Sequence, residues 1–324
     1  MALFKHLVRR IPGLIGLHSY LSRLRHTPLL HPELYPRGHY YSPLPDLDEV
    51  RSKAATLFNP DVDLGPSIDL RADAQRSLLG DLAQLYDGFP WNQKPLEEYR
   101  FHLDQTHFRY GDALILYSML RFLKPQRVIE VGSGFSSALM LDTNDSFLDG
   151  TVRFTFIEPF PARLEALLRE KDRKTARILV DFVQNVPISV FRELETKDIL
   201  FIDSSHVSKI GSDVNFLVFN VLPALNPAVV IHFHDVHWPF EYPQQSVIDG
   251  RAWNEAYLVR AFLQYNRCFE ILLFNSFVAH AFQSLVEDKT PIFMVFCLRL
   301  CCDRGDAGFV PAPKIWRKRP HANP

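Results

Sequence analysis

Two short stretches concentrate the side chains able to do chemistry. Phe201-Ile-Asp-Ser-Ser-His206 delivers a carboxylate and an imidazole. His232-Phe-His-Asp-Val-His237 delivers three imidazoles and a second carboxylate, followed by Trp238-Pro-Phe-Glu-Tyr242. Each stretch closes an apolar run of strand length, so each marks a strand end. In an extended strand His232 and His234 share one face and Asp235 takes the other. Adjacent strand ends bring Asp203, His206, His234 and Asp235 into one small volume. Three readings fit such a group. Asp203, His234 and Asp235 form a ligand set for a divalent cation: carboxylates suit Mg²⁺, and imidazole tilts the set towards Mn²⁺ and softer ions. The ion would chelate substrate oxygens and lower a hydroxyl pKa. Without an ion, His206, His234 or His237 serves as general base, since imidazole titrates near neutral pH. In the third reading the cluster is structural, with each imidazole bonded to a carbonyl. Trp238, Tyr242 and Trp253 offer aromatic faces to a sugar or planar ring, or pack between loop and helix.

A second constellation lies upstream. Val128-Ile-Glu-Val-Gly-Ser-Gly-Phe-Ser-Ser137 ends an apolar run on two glycines flanking Ser133. Gly132 and Gly134 permit positive φ and leave room for a ligand close to the backbone. A dinucleotide site would carry a third glycine three residues on, where Ser137 stands. The next apolar run ends at Glu158, placed to accept hydrogen bonds from ribose hydroxyls. The third run ends at Asp181-Phe182, an acid and a ring for the edge and face of an adenine. Tyr110-Gly-Asp112 precedes the helix that feeds the first strand. It folds over the cofactor, or Asp112 simply stabilises a helix start.

Glu130-Val-Gly-Ser-Gly134 resembles the first motif of class I S-adenosylmethionine-dependent methyltransferases, and the resemblance runs from about Tyr110 to Leu300. Phe201–His206 and His232–Asp235 resemble the fourth and fifth strand ends of the catechol and macrocin O-methyltransferase-like branch, the methyltransferase-24 group. The resemblance implies S-adenosylmethionine as cofactor, the Glu130–Gly134 turn as its cradle, Glu158 as the ribose acid and Asp181 as the adenine-side acid. It implies methyl transfer to a hydroxyl of a small molecule or glycan. Those relatives carry Asp-Asn, Asp-Asp or Glu-Asp where this chain has His234-Asp235, so the ion and the histidine base both stay open. Two other functions compete. A nicotinamide-dependent oxidoreductase lacks its third glycine and a Tyr-x-x-x-Lys dyad. A non-catalytic cofactor-binding protein would not need acids at successive strand ends.

Elements must hold these residues at one edge. Seven apolar runs appear: Arg127–Val131, Arg153–Ile157, Arg177–Val180, Asp198–Ile202, Ala228–Phe233, Phe269–Phe274 and Pro291–Leu298. Helical patterns lie between them, at Ser136–Asp142, Pro161–Lys171, Gly211–Leu222 and Ala252–Tyr265. Strands alternating with helices predict a doubly wound, mostly parallel seven-stranded sheet with ligands at the carboxyl ends of the strands. Upstream, helices are expected at 49–57, started by Asp46 or Asp48, at 72–87 and at 111–123. The expected division is a basic arm and connector at 1–40, a helical extension at 41–110, the cofactor-binding domain at 111–302 and a tail at 303–324.

Composition narrows the setting. The 324 residues are 47% hydrophobic and 23% charged, enough apolar content for a large core. A formal net charge of −1 gives no electrostatic reason to bind nucleic acid. Cys268, Cys297, Cys301 and Cys302 do not make a paired zinc pattern and read as reduced thiols of a cytoplasmic protein. Residues 1–30 carry Lys5, Arg9, Arg10, Arg23 and Arg25 without an acid. This arm reads as a basic segment docked on its own domain, a mitochondrial presequence or a weak membrane-surface helix. Deleting residues 1–30 should leave S-adenosylhomocysteine affinity unchanged and reduce flotation with anionic vesicles. Equal flotation of both forms on anionic lipid would exclude the membrane role.

Overall fold

The computed structural model describes residues 35–282 and 295–300. The basic arm, Cys301, Cys302 and the tail lie outside the described residues. The seven runs become seven strands: β1 Arg127–Val131, β2 Arg153–Ile157, β3 Arg177–Leu179, β4 Ile199–Ile202, β5 Val230–His234, β6 Phe269–Phe274 and β7 Val295–Leu300. Their order is β3-β2-β1-β4-β5-β7-β6. The pairs β1–β2, β2–β3, β1–β4 and β4–β5 are parallel, while β7 runs antiparallel to β5 and β6. The order reverses between β1 and β4, so the carboxyl ends of those two strands flank the crevice where such sheets bind ligands.

Five helices of seven or more residues lie among the described residues: α1 Ala72–Ala83, α2 Tyr110–Leu123, α3 Phe135–Phe147, α4 Glu255–Leu263 and α5 Asn275–Ala281. Lys124 stops α2 in a left-handed conformation at φ 48°, just before Pro125. Two boundaries depart from the periodic pattern for visible reasons. Asp198 is a turn anchor rather than the first residue of β4, because its carboxylate accepts the backbone N–H groups of Gln126, Arg127 and Glu195. The helix expected over 161–171 breaks into Ala162–Leu167 and Glu170–Thr175. Leu168 is extended there, and Asp172 accepts the Arg169 N–H to start the second piece.

The chain divides into two compact units, Met1–Leu57 and Phe58–Pro324. Within the first, Asp46 Oδ1 accepts the N–H groups of Asp48 and Glu49 and starts the helix Leu47–Ser52. The second holds the sheet. Alternate strand residues feed opposite faces. Ile129, Val131, Leu200, Ile202, Ile231 and Phe233 enter one apolar cluster. Val128, Phe154, Phe156 and Phe201 enter another, with α2 and α3. No helix among the described residues is long and apolar enough to cross a membrane.

A buried ionic latch ties the segment before α2 to α3 and to the helix Glu170–Thr175. Arg100 donates Nη1 to Asp142 Oδ1 at 2.7 Å and to Asp145 Oδ2 at 2.8 Å. Its Nε and Nη2 reach Asp172 at 2.7 and 2.5 Å. Asp142 Oδ2 also accepts Trp91 Nε1 and the backbone N–H groups of Arg100 and Phe101. The Arg100, Asp142 and Asp172 side chains are at most 2% exposed. Removing one partner leaves carboxylates buried without a counter-charge. Arg100→Met should therefore cost about 3–5 kcal/mol, read as a shift of the urea midpoint. A loss of the size typical of a surface pair would show that the latch does not bear on stability.

Candidate active site

The turn after β1 is shaped by its neighbour strand. Asp203 N donates to Val131 O at 2.8 Å, which brings the end of β4 against the end of β1. Gly132 sits there at φ 82°, and a Cβ on it would collide with the Asp203 carbonyl oxygen. The glycine has the positive φ expected from sequence, and this strand contact by itself requires it. Gly134 is extended at φ 178°, and a Cβ there would meet only the flexible Arg163 side chain, 3.1 Å from its Cδ. Ser137, in the place of the third glycine, has a job of its own. Its Oγ accepts Gly134 N at 2.9 Å and donates to Glu130. Glu130 also accepts Ser136 Oγ at 2.5 Å. Burial pushes its carboxyl up to about 8 against those hydroxyls. Glu130 therefore faces the serines that open α3 and holds the turn from inside.

Glu158 holds the same turn from outside. Its Oε2 accepts Ser133 N at 3.0 Å and its Oε1 accepts Phe160 N at 2.8 Å. Beside it opens a cavity of about 400 Å³, lined by Gly132, Glu158, Phe160, Phe182, Asp203 and Lys209 among others. Phe160 and Phe182 are 73% and 52% exposed, with ring centroids 5.9 Å apart, edge to face. Asp181 does not line this cavity. It is exposed, and its Oδ1 accepts Phe182 N and Asn185 Nδ2. A wider cavity of about 680 Å³ borders Phe269 and Ile271 of β6 and holds none of the predicted residues.

Asp203, His206, His234 and Asp235 do converge, and His206 is their centre. It is buried at φ 59°. Its Nε2 lies 3.3 Å from Asp203 Oδ1 and 3.7 Å from Asp235 Oδ2. Its Nδ1 lies 2.9 Å from Glu255 Oε2. Burial works to lower its pKa, but the hydrogen bonds to Asp203 and Glu255 outweigh that and lift it to about 10. A raised pKa favours the form with a proton on each ring nitrogen, one facing Asp203 and one facing Glu255. Burial likewise works to raise Asp203, and His206, His234 and Arg163 hold it below the ordinary range. The Asp203 side chain remains 39% exposed and lines the cavity.

The other histidines separate by environment. His234 is buried among Asp203, Asp235 and Asp112, which raise its pKa against burial. Its Nε2 is 3.9 Å from Asp235, and its Nδ1 has no hydrogen-bond partner among the described residues. Burial lowers His237 to about 4 and His232 well below the ordinary value, so both are neutral. His232 stacks on Phe201 at 4.0 Å inside the fold. Asp112, expected at the cofactor, has its electrostatic neighbours in this cluster instead. It is buried, pushed up to about 6 by that burial, and its Oδ1 has no partner among the described residues. Of the three aromatic residues, only Trp253 lies on the cluster, 4.5 Å from His206. Trp238 Nε1 donates to Pro60 O, and the Tyr242 hydroxyl accepts Ala256 N at the start of α4.

The metal set expected from sequence does not assemble. Among the described residues, no group of three or more His, Cys, Asp or Glu side chains is disposed around one point. His206 Nε2 is itself the cluster nitrogen that lies nearest both Asp203 and Asp235. Glu255 is the residue that the sequence reading missed. It is 1% exposed at the first turn of α4 and accepts Ser204 Oγ as well as holding His206. Its neighbours Trp253 and Asn254 mark a helix start, but nothing local points 49 residues back to His206. Phe160, Lys209 and Arg163 were also outside the predicted set.

The two glycines of the turn make separable predictions. Gly132→Ala should abolish S-adenosylhomocysteine binding and destabilise the fold, because both its φ and the Asp203 carbonyl exclude a side chain. Gly134→Ala should bind and fold nearly normally. Calorimetry with both variants checks this, and the reverse order of effects would refute the strand-contact account.

Residues 129–236 match the family described as "Methyltransferase domain". An uncharacterized protein of Archaeoglobus fulgidus is 30% identical over 171 residues, covering 50% of this chain and 75% of that protein. The SAH-bound methyltransferase PaMTH1 of Podospora anserina superposes with a TM-score of 0.40 at 17% identity, covering 80% of this chain and 98% of its own. The O-methyltransferase TomG of Streptomyces achromogenes, in complex with SAM, gives 0.40 at 13% identity, covering 79% and 96%. The matched stretch spans β1 to β5 and both strand-end clusters, so residues 129–236 are similar to a methyltransferase domain.

Proposed function

We propose that this methyltransferase methylates a hydroxyl of a small molecule or glycan, using Asp203 as proton acceptor, held by His206 and Glu255, without a divalent cation. One observation carries the reading: both ring nitrogens of His206 are engaged by carboxylates, Asp203 on one side and Glu255 on the other. S-adenosylmethionine, when bound, supplies an electrophilic methyl group on a positively charged sulfur. The remaining tasks fall to the chain. Glu158, beside the cavity and already fixed by two N–H groups, is placed to receive the ribose hydroxyls. Phe160 and Phe182 offer exposed rings to the adenine. Asp203 lines the cavity and touches the cluster, so it can hold an acceptor hydroxyl beside the cofactor.

A carboxylate of low pKa is an adequate proton acceptor here. An oxygen that gains a methyl group while keeping its proton becomes strongly acidic, so even a weak base removes that proton. Asp203 takes it from the acceptor oxygen, while the His206 imidazolium keeps the carboxylate in place and offsets the repulsion from Asp235. Trp253, with Arg251 4.6 Å over its ring, forms an aromatic wall suited to a sugar or phenol. The fixed charge at His206 also answers the requirement that a metal would otherwise meet, a positive centre among carboxylates.

The test measures S-adenosylhomocysteine release over a panel of phenolic and glycosidic acceptors. Asp203→Asn and Glu255→Gln should each lower kcat by about 10²–10⁴, the usual span for lost proton transfer, with S-adenosylhomocysteine affinity retained. A chelator should change nothing. A rate lost on chelation and restored by Mg²⁺ would refute the metal-free route, and full activity in Asp203→Asn would remove the assigned base.

A further inference from the structure

The opposite edge of the sheet carries a second concave site. Strand register builds it. Arg127 of β1 is opposite Arg153 of β2, and Thr155 of β2 is opposite Arg177 of β3. Partners on neighbouring parallel strands project to one face, as do residues two apart along a strand. Arg127, Arg153, Thr155 and Arg177 therefore share one face near the amino ends of their strands. Together with Thr175 and Glu193 they line a cavity of about 210 Å³.

The three guanidinium groups are unequally committed. Arg127 Nη1 lies 3.2 Å from Asp198 and 3.7 Å from Glu195. Arg177 makes only a loose, half-exposed pair with Glu193 at 3.4 Å, the kind that contributes little. Arg153 is exposed, and its guanidinium has no partner among the described residues. The helix Glu170–Thr175 ends here, and its last carbonyls favour nearby cations. That partial charge does not match a formal anion. A tetrahedral oxyanion does, because guanidinium forks bind its oxygens in pairs and Thr155 can add a hydroxyl.

We infer that this cavity binds a phosphate-class oxyanion, with Arg153 and Arg177 as the clamp. It lies at the sheet edge opposite the cofactor cavity, so the two ligands do not compete. The same chemistry is offered by a soluble phosphomonoester and by a lipid phosphate. Inorganic phosphate, titrated into the full chain by calorimetry at constant ionic strength, should bind saturably. Arg153→Gln should weaken it about tenfold, the effect of one charge-assisted contact, and leave S-adenosylhomocysteine affinity unchanged. Because Arg153 is exposed and unpaired, this variant keeps the fold. Glycerol phosphate binding with the same Arg153 dependence identifies a soluble ester. Arg153-dependent retention confined to phosphatidylcholine vesicles containing phosphatidic acid identifies a headgroup. No saturable binding to any of these probes, or binding that Arg153→Gln leaves unchanged, would overturn the site.

Discussion

The site depends on the backbone contact between the ends of β1 and β4. Gly132 lies against the Asp203 carbonyl, and Asp203 N donates to Val131 O. A strand pair that close at its carboxyl end has one consequence for shape and one for chemistry. The turn into α3 is set beside the end of β4, so the cavity wall and Asp203 come from adjacent backbone. Little freedom remains to be ordered when a ligand enters, because Glu130 holds the turn from the buried side and Glu158 from the open side. Preorganisation of this kind lowers the entropic cost of binding and alignment.

Charge at the reaction centre follows from where each imidazole sits relative to carboxylates. His232, His234 and His237 lie within six residues of one another, yet their pKa values are driven in opposite directions. His232 stacks on Phe201 inside the apolar layer, and His237 is lowered by a burial that Asp235 offsets only in part, so both favour the neutral form. His234 faces three carboxylates and is raised. His206, from another strand end, gains direct bonds to two. Residue type alone therefore does not distinguish a base from a fixed cation. The distinction lies in the second acid, Glu255, which arrives from α4.

This explains what sequence could and could not reveal. Strand and helix alternation, the parallel sheet and the gathering of Asp203, His206, His234 and Asp235 all follow from periodicities two and 3.6 and from the rule for strand ends. Contacts between distant segments do not. Glu255 meets His206 across 49 residues, and Arg100 meets Asp172 across 72, with no local signature at either end. At other positions the backbone place follows from sequence and the side-chain partners do not. Asp181 stands at the third strand end as expected, but its carboxylate closes its own turn with Phe182 and Asn185. Asp112 opens α2 as expected, and its electrostatic neighbours are His234, Asp235 and Asp203. Strand-end rules locate a Cα; the competition among nearby donors decides where the side chain goes.

That competition also shows where stability and function separate in this fold. Asp112 Oδ1 and His234 Nδ1 are buried at the reaction centre without protein partners among the described residues. Such groups are costly, and they persist only where the surroundings over-determine them. The surroundings here are strong. Arg100 secures the segment just ahead of α2 through three carboxylates, and α2 itself is buried along nearly its whole length. The first turn of α2, which carries Asp112, therefore cannot swing away to hydrate its acid. The ionic latch thus fixes the segment ahead of α2, the helix whose first turn sets Asp112 beside His234, Asp235 and Asp203.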